Sequence, residues 1–175
     1  MKSVAFVLAI GVCLSAAAWG QTAPAGSFED LSTRASAALK QKDSSQAAKL
    51  YREAVALKPS WAEGWFYLGA SLYELRQYPE AQKAFQRAAA LTPNKGVVWA
   101  FIGLCEYQKS AYAPALANFK KAEKIGLPDN LGFIASVHNC AAIVYLREQD
   151  FQDAVGELQG LAVLAYTSPI TTTAF

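Results

Sequence analysis

The chain has 175 residues, of which 53% are hydrophobic and 17% are charged. This composition is too apolar for a disordered chain and predicts a substantial buried core. The formal net charge of +2 provides no strong positive field for nucleic acid or for an anionic membrane surface, so neither is expected as a partner.

The first twenty residues are predicted to be an export signal. Lys2 precedes an uncharged stretch at residues 4–19, which is short for a spanning helix and typical of a signal peptide. Cleavage before Gln21 or within residues 16–18 would remove it, and a retained anchor is the alternative. We expect an exported protein, periplasmic or secreted and most typical of a bacterial envelope, without a membrane span after cleavage. Residues 21–27 are predicted to be a short linker.

Residues 28–166 carry a repeat with a period of 34 residues. Trp65 recurs as Trp99, and Gly69 recurs as Gly103. Four more pairs have the same separation: Tyr78 and Tyr112, Ala81 and Ala115, Phe85 and Phe119, and Ala88 and Ala122. A fourth copy is displaced by five residues, with the insertion near Pro128. The predicted units are 28–61, 62–95, 96–134 and 135–166, followed by a tail at 167–175.

Each unit is predicted to be a helical hairpin. The apolar residues of the second unit fall at helical spacing in two runs, and Pro79 suits the first turn of the second run. Ser60 and Glu63 form the pattern of a capping box at the start of the first run. The recurring small residues would let helices approach to about 8 Å, with the recurring rings filling the space beside them. A single hairpin cannot bury both faces, so the units are expected to stack.

The pattern W, LG, Y, A, F, A and P over 34 residues resembles the tetratricopeptide repeat. The second unit carries it as Trp65, Leu68, Gly69, Ala81, Phe85, Ala88 and Pro93. The resemblance implies an all-α fold, a right-handed superhelical stack of about four helix-turn-helix hairpins. It also implies a non-catalytic protein-interaction scaffold or adaptor. The alternative is a structural N-terminal oligomerisation or spacer module of a longer polypeptide.

The same resemblance implies that one stripe on the first helix of each unit lines a concave groove. The stripe consists of Phe66, Ala70, Tyr73, Ala100, Leu104, Tyr107, Asn139, Ile143 and Arg147. Such a groove would bind a protein or peptide segment with apolar side chains. Ser32 and Ser36 stand where some family members clamp a carboxylate, so we expect no such clamp. The alternative is that the stripe packs on neighbouring helices or on residues 21–27.

The sequence indicates no catalytic, cofactor or metal site. His138 is the only histidine; it stands in the register of Trp65 and Trp99, and its near neighbours offer no ligand at helical spacing. We therefore expect a core or half-buried histidine. No phosphate loop, dinucleotide fingerprint or nucleophile elbow occurs. Cys105 and Cys140 would remain after signal removal, and a disulfide between them and two buried free thiols are both compatible with the sequence.

The last predicted helix is apolar on every side near its end. Residues 160–166 carry no charge, whereas a surface helix shows a single apolar stripe. A fold-back of the tail, a second copy of the chain or a continuation of the polypeptide would cover it. The sequence thus leads to the hypothesis that residues 158–166 mediate self-association.

Overall fold

The computed structural model of the chain describes residues 26–167, and for residues 164–167 it describes the helical backbone only. The described part folds into eight helices: α1 (Phe28–Lys40), α2 (Ser44–Leu57), α3 (Ala62–Glu74), α4 (Tyr78–Leu91), α5 (Gly96–Gln108), α6 (Tyr112–Ile125), α7 (Leu131–Arg147) and α8 (Phe151–Thr167). The predicted all-α stack of four hairpins is confirmed. The predicted signal at 1–20 and nearly all of the tail lie outside the described residues.

The helices pack mainly on their neighbours in the chain. Within hairpins, α1 packs on α2, α3 on α4, α5 on α6 and α7 on α8, while α2–α3, α4–α5 and α6–α7 contacts join one hairpin to the next. No helix within residues 26–167 has the length and apolar character needed to cross a membrane.

The turn inside each hairpin has the same backbone geometry. Its central residue takes a left-handed conformation with φ of 59–60°, at Lys42, Arg76, Ser110 and Gln149. In the second hairpin the N–H of Gln77 then donates to the carbonyl of Leu72 at 2.9 Å. This is the Schellman arrangement, which satisfies a carbonyl at the end of a helix. All four hairpins therefore turn in the same way, although none of the four positions is glycine.

Close contact between the helices of a hairpin occurs where the side chains are smallest. A Cβ atom at Gly69 would lie 2.8 Å from the ring of Phe85, and one at Gly103 would lie 2.6 Å from the ring of Phe119. The two rings are 0% and 1% exposed. The other small recurring residues are all 0% exposed: Ala81, Ala88, Ala115 and Ala122.

The recurring tryptophans tie the start of a hairpin to the preceding loop. The indole N–H of Trp65 donates to the carbonyl of Pro59 at 2.9 Å, and that of Trp99 donates to the carbonyl of Pro93 at 2.8 Å. The expected capping box at Ser60 is wrong. Helix α3 has Trp61 as its N-cap and no side-chain cap, so Ser60 lies one residue too early to bond the first turn.

The insertion before the fourth hairpin lengthens a helix rather than only a loop. Helix α7 has 17 residues, whereas α5 has 13. It begins after Asn130, whose side chain accepts a hydrogen bond from the N–H of Phe133 at 2.9 Å. The predicted boundary between units at residues 134 and 135 therefore falls inside α7. The cap at Asn130 explains the early start, because it satisfies a free backbone donor there.

Polar groups also join the central helices. Glu106 on α5 is 8% exposed, and it accepts hydrogen bonds from Gln82 of α4 at 2.9 Å and from Asn118 of α6 at 2.7 Å. Cys105 and Cys140 are free thiols. Burial raises the pKa of Cys105 to about 12 and also raises the pKa of Cys140, so neither is activated as a nucleophile.

The glycine contact can be tested with a matched pair of substitutions. Gly103→Ala places a methyl group against the Phe119 ring and 3.1 Å from the carbonyl oxygen of Ala115, and it should lower the free energy of unfolding by about 1–3 kcal/mol. Gly156→Ala adds the same group where nothing lies within 4 Å, so helix propensity should raise stability by about 0.5–1 kcal/mol. Thermal unfolding measures both, and shifts of the same sign would contradict this packing.

Candidate protein-binding groove

The predicted stripe lies on the first helices of the hairpins, and on α3 it remains partly accessible. Phe66, Ala70 and Tyr73 are each half-buried. The Phe66 ring contacts the Phe85 ring, with centroids 5.7 Å apart, and the Phe101 ring at 5.5 Å. On α3 the stripe therefore packs on the core at its inner edge and stays accessible at its outer edge.

Phe101 lies at the centre of the aromatic layer behind this stripe, and it is absent from the predicted site. Its ring stacks on Phe85 at 5.0 Å and also contacts Tyr73 at 6.0 Å and Phe133 at 5.1 Å. A signal was available, because Phe101 stands 34 residues after Tyr67, another aromatic residue. The layer fixes the positions of Phe66 and Tyr73.

On α5 the prediction is wrong for two residues of the stripe. Ala100 is 0% exposed and Leu104 is 6% exposed, and both belong to an apolar cluster that includes Val137 and Ala141 of α7. The physical reason is that α7 contacts α5 directly as well as α6. Ala100 and Leu104 are therefore packing residues, which was the alternative for the whole stripe.

The remaining stripe residues are accessible but more scattered. Tyr107 is half-buried, while Asn139, Ile143 and Arg147 of α7 are exposed. The Arg147 guanidinium lies 5.1 Å from the centroid of the Tyr112 ring on α6, a cation–π distance. The nine predicted residues thus do not form one continuous groove, and the accessible aromatic part is centred on α3.

Two pockets open beside the α3 stripe. The larger has a volume of about 430 Å³ and lies between the N-terminal parts of α3 and α5. Its walls are Ala62, Glu63, Phe66, Tyr67, Thr92, Lys95, Val97 and Val98. The smaller, of about 220 Å³, is lined by Tyr73, Glu74, Arg76, Tyr78 and Gln108. Phe66 and Tyr73 are seven residues apart, so the pockets are separated by about 10 Å along the helix.

Each of these pockets combines an aromatic wall with one acidic and one basic residue. Glu63 and Lys95 flank the larger pocket, and Glu74 and Arg76 flank the smaller one. Burial raises the pKa of Tyr73, so its phenol stays neutral and can donate a hydrogen bond. Neither set of lining residues contains a histidine or a cysteine.

A third cleft, of about 630 Å³, lies on the second helices. It involves α2, α3 and α4 and has a more charged lining, with Arg52, Glu80, Lys83 and Arg87 among its residues. Sequence reasoning did not select it, because these side chains have the pattern of a solvated helix face.

The chain matches one known repeat family in sequence and several solved structures in fold. The tetratricopeptide-repeat family model matches residues 62–95, which are the predicted second unit. The chain resembles the structure of MamA (residues 41 to the end) from Desulfovibrio magneticus RS-1, with 17% identity and a TM-score of 0.73 over 83% of this chain and 79% of that one. A crystal structure of MamA matches at 20% identity and a TM-score of 0.69, covering 78% and 77%.

A further similar structure contains a ligand. The TPR2B domain of yeast Sti1, in its complex with pHsp70, is 21% identical with a TM-score of 0.60, covering 69% of this chain and 97% of that one. No curated protein sequence matches the chain. At these identities the structural comparisons establish the fold. The chain therefore contains a tetratricopeptide repeat at residues 62–95, and its described part shares its fold with the structures named above.

Proposed function

We propose that the protein is a non-catalytic scaffold that binds an apolar protein or peptide segment along α3. The observation that carries the proposal is the 430 Å³ pocket between α3 and α5. Its volume lies in the range of about 300–1,000 Å³ that is usual for ligand sites. Its apolar wall, formed by Phe66, Tyr67 and Val97, could surround one large apolar side chain.

The distance between the two pockets sets the spacing between the anchoring side chains of the proposed ligand. The pockets are about 10 Å apart, and an extended chain advances about 3.3–3.6 Å per residue. Two anchoring side chains of an extended ligand would therefore lie about three residues apart. The larger pocket would take the apolar anchor, and the smaller pocket would take an anchor that can accept a hydrogen bond from Tyr73.

The Sti1 complex supports binding by this fold but does not identify the ligand of this chain. At the first-unit positions where some family members clamp a carboxylate, this chain has Ser32 and Ser36. The Ser36 hydroxyl forms a hydrogen bond with the Tyr51 hydroxyl at 3.3 Å. Recognition here would rest on apolar anchors and not on a terminal carboxylate.

We also propose that the protein acts outside the cytoplasm, in a periplasmic or secreted location. The proposal rests on the sequence, with Lys2 followed by the uncharged stretch at residues 4–19. This part of the chain lies outside the described residues.

A second function, self-association, is favoured by the exposed face of α8. Phe151, Val155 and Leu158 are 63%, 50% and 47% exposed and recur at helical spacing. In the repeat, Val155 occupies the position that Gln82 occupies in the second hairpin. The side chain of Gln82 donates a hydrogen bond to Glu106 on α5, the first helix of the following hairpin. We propose that a second copy of the chain supplies the corresponding helix next to α8.

The groove proposal is tested with peptides selected from a random peptide library on the immobilised protein. We expect selected peptides to carry large apolar residues with a recurring spacing of about three. Val97→Glu puts a charge into the pocket wall near the start of α5, where an acidic residue favours the helix, and it should weaken peptide binding at least about tenfold. Fluorescence anisotropy measures the affinity.

The control for the groove test is Gln86→Glu, which adds the same charge on the cleft of the second helices. It should leave the affinity unchanged. Equal affinities of the wild type and Val97→Glu for the selected peptides would place binding elsewhere.

Export is tested by N-terminal sequencing of the protein from its native source. The expected N-terminus is Gln21 or a residue close to it, in an envelope or extracellular fraction. An intact Met1 or Lys2 terminus in the cytosolic fraction would refute the proposal.

Self-association is tested by light scattering over a concentration series of the protein without its signal. The wild type should gain mass with concentration, whereas Val155→Glu should stay monomeric because it puts a charge into the contact. Gln152→Glu, an exposed change on the same helix, is the control and should behave as the wild type. A wild type that stays monomeric throughout would exclude a second copy at α8.

A further inference from the structure

One histidine and two glutamates from three different helices meet beside the fourth hairpin. His138 of α7 lies between Glu123 of α6 and Glu157 of α8. The Nδ1 atom of His138 is 2.6 Å from Oε2 of Glu157 and 3.6 Å from Oε1 of Glu123. One potential ligand atom from each of the three residues lies within 4.8 Å of the other two.

The three side chains are partly shielded from solvent, and one carboxylate oxygen among them lacks a hydrogen bond. The exposed fractions are 16% for His138, 14% for Glu157 and 32% for Glu123. Nδ1 can carry one proton, and the close contact with Glu157 uses it. Oε1 of Glu123 is fully buried and has no hydrogen-bond partner in the described part of the chain. A buried carboxylate oxygen without a hydrogen bond is costly, so a further positive group beside it would stabilise the cluster.

The electrostatic balance of the cluster agrees with this shortage of positive charge. A carboxylate oxygen of Glu123 lies within 4.8 Å of one of Glu157, so the two negative charges repel each other. Lys120 of α6 is close enough to act on Glu123, but its ammonium group lies over the Tyr145 ring, 5.3 Å from the centroid. Two carboxylates and one imidazole, when they are deprotonated, carry two negative charges, which a divalent cation would neutralise.

The repeat itself provides an independent reason to regard the cluster as more than packing. Glu123 occupies the repeat position that Val55 and Ala89 occupy in the first two hairpins, where both residues are buried. His138 holds the register of Trp65, and Glu157 holds that of Leu50 and Ala84. The three repeat positions are therefore apolar in the first two hairpins and carry ionisable residues only at the interface between the third and fourth hairpins. Packing alone does not require such a change.

We propose that Glu123, His138 and Glu157 form a divalent metal site that takes Zn²⁺ and fastens the fourth hairpin to the third. The imidazole favours zinc over calcium or magnesium, which prefer oxygen ligands alone. Zinc bonds of about 2.0–2.2 Å to nitrogen and oxygen require modest side-chain shifts from the present separations. Three protein ligands leave a fourth position for water or for a side chain of a partner.

The site would lie at the interface between the third and fourth hairpins, where the insertion interrupts the 34-residue repeat. The insertion makes α7 four residues longer than α5, and among α8 residues with described side chains only Ala154 is buried. An ion bound by α6, α7 and α8 would replace the apolar contacts that the earlier hairpins use. The metal is therefore expected to act on stability and on the position of the fourth hairpin, and not on a reaction.

The test uses the untagged chain without its signal, stripped of metal, with ZnCl₂ as the probe. Calorimetric titration should give about one Zn²⁺ per chain, and a hundredfold excess over Kd should raise Tm by about 5–10 °C. Because His138 is the only histidine in the chain, its Nδ1 resonance in ¹⁵N NMR reports directly on coordination. That resonance should shift on saturation with zinc.

Matched variants separate this site from adventitious binding. Glu123→Gln and Glu157→Gln each remove one ligand and should weaken zinc binding at least about tenfold, while circular dichroism should show retained helix. Glu148→Gln removes an exposed carboxylate at the end of α7 and should bind as the wild type does. The proposal is overturned if the wild type binds no zinc at micromolar concentration, if the Nδ1 resonance does not move, or if the two ligand variants bind zinc as the wild type does.

Discussion

The structure depends on the contact between a glycine and a phenylalanine inside a hairpin. Where Gly69 faces Phe85 and Gly103 faces Phe119, even one added carbon would overlap the ring. Helices approach so closely only at small residues, and the approach leaves both rings almost wholly buried. The orientation of the two helices then determines which side of α3 and α5 faces outward. The position of every groove residue follows from that orientation.

The same geometry explains why only part of the first-helix face is open. The Phe101 ring lies against Phe85 at 5.0 Å, so the face of α3 is supported from behind by a rigid aromatic layer. On α5 the longer α7 comes close enough to bury Ala100 and Leu104. A pocket remains between the N-terminal ends of α3 and α5. The proposed binding site is therefore a consequence of how the units stack.

Much of the fold could be predicted from the sequence, because the helical hairpins follow from the spacing of the recurring residues alone. The 34-residue interval between Trp65 and Trp99 marks both the unit length and the packed side of each first helix. The same register predicted the stripe on α3, whose residues are partly accessible. The burial of Ala100 and Leu104 could not be predicted, since it depends on contacts with Val137 and Ala141 of α7, which are distant in the sequence. The cluster at His138 was missed for a related reason: its partners come from two other helices, and local spacing cannot bring them together.

We expect the glycine–phenylalanine contacts of the second and third hairpins to form the most stable part of the fold, with the fourth hairpin more loosely attached to it. Native-state hydrogen exchange of the metal-free chain tests it most directly, because it reports the opening free energy of each helix. The amides of α4 and α5 should exchange most slowly and those of α8 fastest. Equal protection in all helices, or slowest exchange in α7 and α8, would contradict it.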